Sequence, residues 1–199
     1  MSQDERPAPG LRERKKAKTR AAIQRHALRL FHEQGYEATT VEQIAEAAEV
    51  SPSTFFRYFA TKEDVVLYDA FDPILFAQFA AQPAELSPIQ AIRRSVREVF
   101  GTLTAEEMTE QWERAMLVLA VPELRMRMLD TTVAATQQFA QMVAKRVGRQ
   151  ANEPAVRAFA GAVVGAMLAA ADLDTVQSMG DYFERVDASL DYLEAGLPL

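Results

Sequence analysis

The chain has 199 residues, 49% of them apolar and 25% charged, with a formal net charge of −6. That is enough chain to bury a real core in one or two soluble domains. It has no cysteine, which excludes disulfides, thiol catalysis and Cys-based zinc sites. The longest uncharged apolar run, residues 158–171, holds 14 residues, too few to span a bilayer. Residues 1–18 lack the apolar centre of a signal peptide, so the expected location is a reducing cytoplasm with no membrane partner.

The net charge hides a polarity along the chain. Residues 11–29 carry eight basic side chains against Glu13, whereas residues 60–199 carry 12 basic and 20 acidic ones. A basic front end on an acidic body suits a head that binds double-stranded DNA and a body that does not. A solvated polar helix face is the plainer explanation of any single charge run. The residues after the run decide between the two.

Residues 1–10, polar with two prolines, read as a disordered arm. A first helix is expected from Leu11 or Arg14 to Gln34, with Ile23, Ala27, Leu30 and Phe31 as its buried stripe and Gly35 as its stop. His26 and His32 lie six residues apart on different faces of it and cannot share a metal. Residues 40–48 form a short amphipathic helix, with Val41, Ile44, Ala45 and Ala48 on one face and capping-box spacing at Thr40 and Gln43. Ser51-Pro52 starts another short helix, 52–58. Two short helices across such a turn make a helix-turn-helix, whose second helix enters the major groove. Phe55 and Phe59 are spaced to pack against the first helix.

Thr61 caps a connecting helix over residues 61–82, in which Pro73 predicts a kink or break around residues 69–73. The remainder, 83–199, reads as helical throughout. Ser87-Pro88 opens a helix to about Leu103, and Thr104 with Glu107 opens another carrying Met108, Trp112 and Met116. A long helix comes next, from about Glu123 to Val147, with a break expected near its start, then helices over about 154–173 and 180–195. Small residues line the first of these last two: Ala158, Ala160, Gly161, Ala162, Gly165, Ala166 and Ala169. They would let another helix approach closely. Phe183, Val186, Leu190 and Leu193 share a face of the last helix. The two together are expected to form the four-helix interface of a homodimer, against the alternative of tight packing within one subunit.

The run Thr40-Val41-x-x-Ile44-Ala45-x-x-Ala48-x-Val50-Ser51-x-x-Thr54-Phe55-Phe56-x-Tyr58-Phe59-x-x-Lys62-Glu63-Asp64, with Ile23, Ala27, Leu30, Phe31 and Gly35 before it, resembles the TetR/AcrR family of bacterial transcriptional repressors. The specific match covers about residues 16–64. The resemblance implies an all-α chain, with a three-helix DNA-binding head over 11–60 and a helical ligand-binding and dimerisation body over 83–199. It puts Ser51, Pro52, Ser53, Thr54 and Arg57 on the recognition helix or its leading edge, and Thr40, Tyr58 and Lys62 at positions that commonly hold phosphates. Three residues depart from the pattern. Phe56 replaces a common tyrosine, Ser53 a frequent glycine, and Glu49 the usual turn glycine, where a left-handed backbone would strain it.

The expected function is a ligand-responsive regulator, a repressor released from a palindromic operator by a small hydrophobic or acyl-CoA-like effector. The recognition-helix variant resembles a subgroup whose bodies take acyl-CoA-like ligands. Phe71, Phe76, Phe79, Phe100, Trp112, Met116, Phe139, Met142 and Met167 are candidates to line an apolar pocket, with plain core as the alternative for each. Arg93, Arg94 or Arg97 would meet phosphates at its mouth. No cofactor, metal site or catalytic constellation is expected. The remaining alternative is a helical ligand-binding or interaction protein without specific DNA binding.

Overall fold

A computed structural model describes residues 10–172 and 175–198, apart from the side chain of residue 13. The expected arm (all but Gly10) and the expected end of the penultimate helix at residue 173 therefore lie outside the described residues. All regular structure among those residues is α-helical. The chain divides into two compact units, one ending at Tyr68 and the other beginning at Asp69.

The first unit contains α1 (Leu11–Gln34), α2 (Val41–Ala47), α3 (Pro52–Tyr58) and α4 (Lys62–Leu67). Ile23, Ala27 and Phe31 are buried on α1, Ile44 and Ala45 on α2, Phe55 on α3, and Val65 and Val66 on α4. The short helices could not persist alone, since a nucleus of one turn costs more than it returns. Caps and burial hold them. Thr40 and Thr61 each form a full capping box, with Gln43 and Asp64. Gln24, buried on α1, donates to the carbonyls of Val65 (2.8 Å) and Tyr68 (2.7 Å), satisfying the open end of α4.

The second unit contains α5 (Asp72–Ala81), α6 (Pro88–Phe100), α7 (Ala105–Ala120), α8 (Pro122–Val147), α9 (Pro154–Ala170) and α10 (Met179–Glu194). The break expected at 69–73 is present: α4 stops at Leu67, and α5 restarts with Pro73 in its first turn. The break expected near the start of α8 is absent. Pro122 stands at the first helical position, where its missing N–H costs nothing, and the helix runs unbroken for 26 residues. The helix expected to reach Leu103 ends at Phe100, as the Thr102 hydroxyl donates to the Val99 carbonyl at 2.7 Å.

One apolar cluster joins α5, α6, α8, α9 and α10 around Phe79, Ile92, Val96, Phe139, Val163 and Leu190. Arg146 on α8 tightens it. Its guanidinium donates to the carbonyls of Gln82, Pro83 and Leu86 in the α5–α6 connection and lies over the Phe79 ring. Helix α7 contributes nothing to this cluster. Met108, Trp112, Met116 and Leu117 along it are only half-buried.

The face of α10 expected at a subunit interface is instead turned into its own unit. Val186 and Leu190 are buried, Phe183 packs against Phe100 with ring centroids 4.7 Å apart, and Leu193 lies against the same cluster. Their spacing marks the buried side of the helix correctly but cannot say whose core it enters.

Candidate nucleic-acid interface and effector region

The turn between α2 and α3 is a closed Schellman motif. The Glu49 N–H donates to the Glu46 carbonyl at 3.0 Å and the Val50 N–H to the Ala45 carbonyl at 2.9 Å. Glu49 adopts φ 54°, the left-handed region that favours glycine. The strain expected at this position is therefore real.

The start of α3 carries three hydroxyls within bonding reach of one another. Ser51 Oγ accepts from the Thr54 N–H at 3.1 Å and lies 2.9 Å from both Ser53 Oγ and Thr54 Oγ1. Ser51, Pro52, Ser53 and Arg57 are exposed, and Thr54 is half-buried. Phe56 is 53% exposed, whereas Phe55 beneath it is fully buried. The exposed edge of α3 thus offers hydroxyl donors and acceptors, an aromatic face and a guanidinium. These are the types that read base edges and contact thymine methyls. Arg57 lies over the Tyr58 ring, 5.5 Å from its centroid, in the last turn of α3.

Thr40 is exposed at the first residue before α2, its hydroxyl accepting from the Gln43 N–H at 3.2 Å. Lys62 is less free than its sequence position suggests. Its ammonium donates to the Tyr36 carbonyl at 3.0 Å and the Thr39 carbonyl at 3.5 Å, and sits 4.2 Å from the Tyr36 ring centroid. The Tyr36 hydroxyl in turn donates to Glu63 at 2.7 Å. Lys62 therefore joins the α1–α2 connection to the start of α4 before any DNA arrives.

In the second unit the residues expected to line a pocket separate into groups. Phe139 is buried in the apolar cluster, its ring 5.2 Å from Phe79, which is buried too. Phe76, Phe100, Met142 and Met167 pack on the edge of that cluster. Phe71, Trp112 and Met116 lie outside it, half-buried. Arg93, Arg94 and Arg97 do not wait for a phosphate: Arg93 pairs with Asp187, Asp191 and Glu194, Arg97 with Asp187, and Arg94 with Glu98.

A polar cluster that no local pattern signals lies between α5, α7 and α10. Asp69 meets Arg114 at 2.5 Å, and the Asp69 carboxylate also accepts from the Phe71 N–H at 2.8 Å. Asp72 keeps an exposed edge, yet partial desolvation first, and the Asp69 charge second, push its carboxyl up to about 6 against the pull of Arg114. Burial, with Asp69 and Asp72 nearby, pushes the Tyr182 phenol up to about 12, and its hydroxyl donates to the Met167 carbonyl at 3.3 Å. Asp69 and Asp72 are neighbours, but Arg114 and Tyr182 come from remote helices, which is why spacing could not find the cluster.

Residues 23–68 match the family model for bacterial regulatory proteins of the tetR family, and residues 86–198 match the TetR-type MftR C-terminal domain. The chain belongs to the TetR family. As a TetR-family regulator it is 50% identical to TcmR of Streptomyces glaucescens over 102 residues, half of this chain and 45% of that one. The alignment therefore spans less than half the length of TcmR. MftR of Mycobacterium tuberculosis, named for the regulation of mycofactocin biosynthesis, is 27% identical over 195 residues, covering 90% of this chain and 95% of that one. The TetR-family fold also matches FadR of Thermus thermophilus, solved with lauroyl-CoA, at a TM-score of 0.55 and 24% identity, over 90% of this chain and 95% of that one. No helix in the described residues is long and apolar enough to cross a membrane.

Proposed function

We propose that the chain is a dimeric repressor that reads a palindromic DNA site with α3 and leaves it when a small apolar effector enters the body. The observation that carries this reading is the exposed edge of α3. Ser51, Ser53, Thr54, Phe56 and Arg57 face outward from a helix held by a capped, closed turn. Side chains of that chemistry on a rigid element specify bases, while Thr40, Tyr58 and the spare donor of Lys62 position the head on phosphates.

The effector reading rests on the second unit. Helix α7 stands apart from the apolar cluster with Trp112 and Met116 half-buried, which leaves apolar surface for a flexible hydrophobic ligand. An acyl-CoA is the class to test first, given the lauroyl-CoA held by FadR. Release requires only about 1–3 kcal/mol of coupling between the sites.

The dimer reading keeps the small-residue face of α9 that the sequence suggested and drops the Phe183, Val186, Leu190 and Leu193 face of α10, which its own unit buries. On α9 the face of Ala158, Gly161, Ala162, Gly165, Leu168 and Ala169 is exposed, and a Cβ built on either glycine meets nothing within 4 Å. That face admits a second copy at close range.

Selection of bound duplexes from a random pool tests the whole reading, followed by release with acyl-CoAs of graded chain length. A single palindromic consensus whose affinity falls steeply with salt is expected. If no duplex is preferred even at low salt, the repressor reading is wrong.

A further inference from the structure

The core of the first unit engages α1 only from Ile23 onward, yet α1 begins at Leu11. The family match also begins at residue 23, so the leading turns of α1 precede it. These turns carry Arg12, Arg14, Lys15, Lys16 and Lys18, all exposed, and none of the five meets a carboxylate among the described residues.

Those residues are poorly chosen for a helix that has no partner. Cations at a helix N-terminus oppose the macrodipole. Arg12 with Lys16, and Arg14 with Lys18, are like charges four residues apart, which also disfavours the helix. No side chain caps it, because Gly10 holds that position. The charge costs are relieved when anions line the helix.

The anchor of these turns indicates which anion. One turn further on, Arg20 donates to the carbonyl of Tyr58 at 3.4 Å and lies over the rings of Phe59 and Tyr68. Tyr58 is the last residue of α3. The basic turns therefore start beside the end of the DNA-reading helix and extend about 14 Å from Arg20, roughly the length of four base pairs. An acidic membrane suits them poorly. Leu11 is the only large apolar side chain over residues 11–18, so there is no apolar face to insert.

We propose that residues 11–18 form a phosphate-binding extension that grips the DNA backbone outside the half-site read by α3. This rests on the DNA-binding reading above and adds a contact to it. The extension contributes affinity without sequence information.

The test replaces Arg12, Arg14, Lys15, Lys16 and Lys18 together by Gln and uses the duplex selected by the unaltered protein. Each phosphate that is no longer neutralised lowers the slope of log K against log salt by about 0.9. The expected result is a slope smaller by about 2–4 per head, with an unchanged consensus. Hydroxyl-radical footprinting should lose backbone protection outside the half-site. The substitutions remove repulsion, so thermal unfolding should hold or rise, and Arg12→Lys with Arg14→Lys should keep the full slope. An unchanged slope and footprint in the Gln variant would overturn the extension while leaving the repressor reading intact. So would tighter binding to phosphatidylserine vesicles than to the duplex at equal salt. Failure of the unaltered protein to select any duplex would instead overturn the reading on which it rests.

Discussion

Val50 closes onto Ala45: its N–H donates to the Ala45 carbonyl at 2.9 Å and forces the residue between helices, Glu49, to φ 54°. The closing hydrogen bonds satisfy the end of α2, and the left-handed residue bears the strain. Because Glu49 is exposed, its side chain is not needed for packing. Replacing Glu49 by Gly should remove the Cβ clash and raise the stability of the head by about 1 kcal/mol, less the entropy glycine gains in the unfolded chain. Chemical denaturation checks it; a destabilised Gly variant would mean that the Glu49 side chain itself contributes.

Lys62 supports a different expectation. Its ammonium already donates to Tyr36 and Thr39, so Lys62→Gln should act in two ways. It should lower head stability by about 1–2 kcal/mol, the scale of charged hydrogen bonds that are partly exposed. It should also weaken all duplexes by a similar factor, whereas Arg57→Ala should change which duplex is preferred. Competition binding with single-base variants separates the two. Equal effects from both substitutions would refute the division of labour.

The head was more legible than the body for a physical reason. Its signals are local: Thr40 with Gln43, Ser51 with Pro52, and Thr61 with Asp64 act within four residues of chain. All three caps are present. The break before Pro73 is local as well. The body is organised by contacts between remote segments. Arg146 caps a loop some 60 residues earlier, and Arg97 pairs with Asp187 on another helix. Periodicity placed Val186 and Leu190 on one face of α10, but whether that face enters its own core or a partner's is a tertiary question.

The polar cluster of the body predicts a dependence on pH. The folded state holds the Asp72 proton up to about 6, above the ordinary aspartate value near 3.8. Between these values the folded chain binds more protons than the unfolded one, so this residue makes stability fall as pH rises from about 4 to 6. Asp72→Asn should flatten that slope and stabilise the body near pH 7.5 by about 1 kcal/mol or less, after allowance for solvent screening. Thermal unfolding across pH 4 to 8 measures it. A steeper fall in the Asn variant would show that the Asp72 charge is favourable in the folded state.

Gly165 gives the sharpest test of the α9 face. It is exposed in mid-helix, and nothing in its own subunit lies within 4 Å of an added Cβ. A glycine there costs about 1 kcal/mol of helix propensity relative to alanine, a cost that close approach by another helix would offset. Within one subunit Gly165→Leu should therefore be tolerated or mildly stabilising, since it improves propensity and meets no neighbour. At a subunit interface the same change would force the helices apart. The expected result is a well-folded protein with native helix content that sediments as a monomer and loses most affinity for a palindromic duplex. It should keep weak binding to a single half-site, because each head is intact. Sedimentation and half-site titration measure these separately. A Gly165→Leu variant that remains dimeric and binds the palindrome as tightly as the unaltered chain would move the interface away from α9.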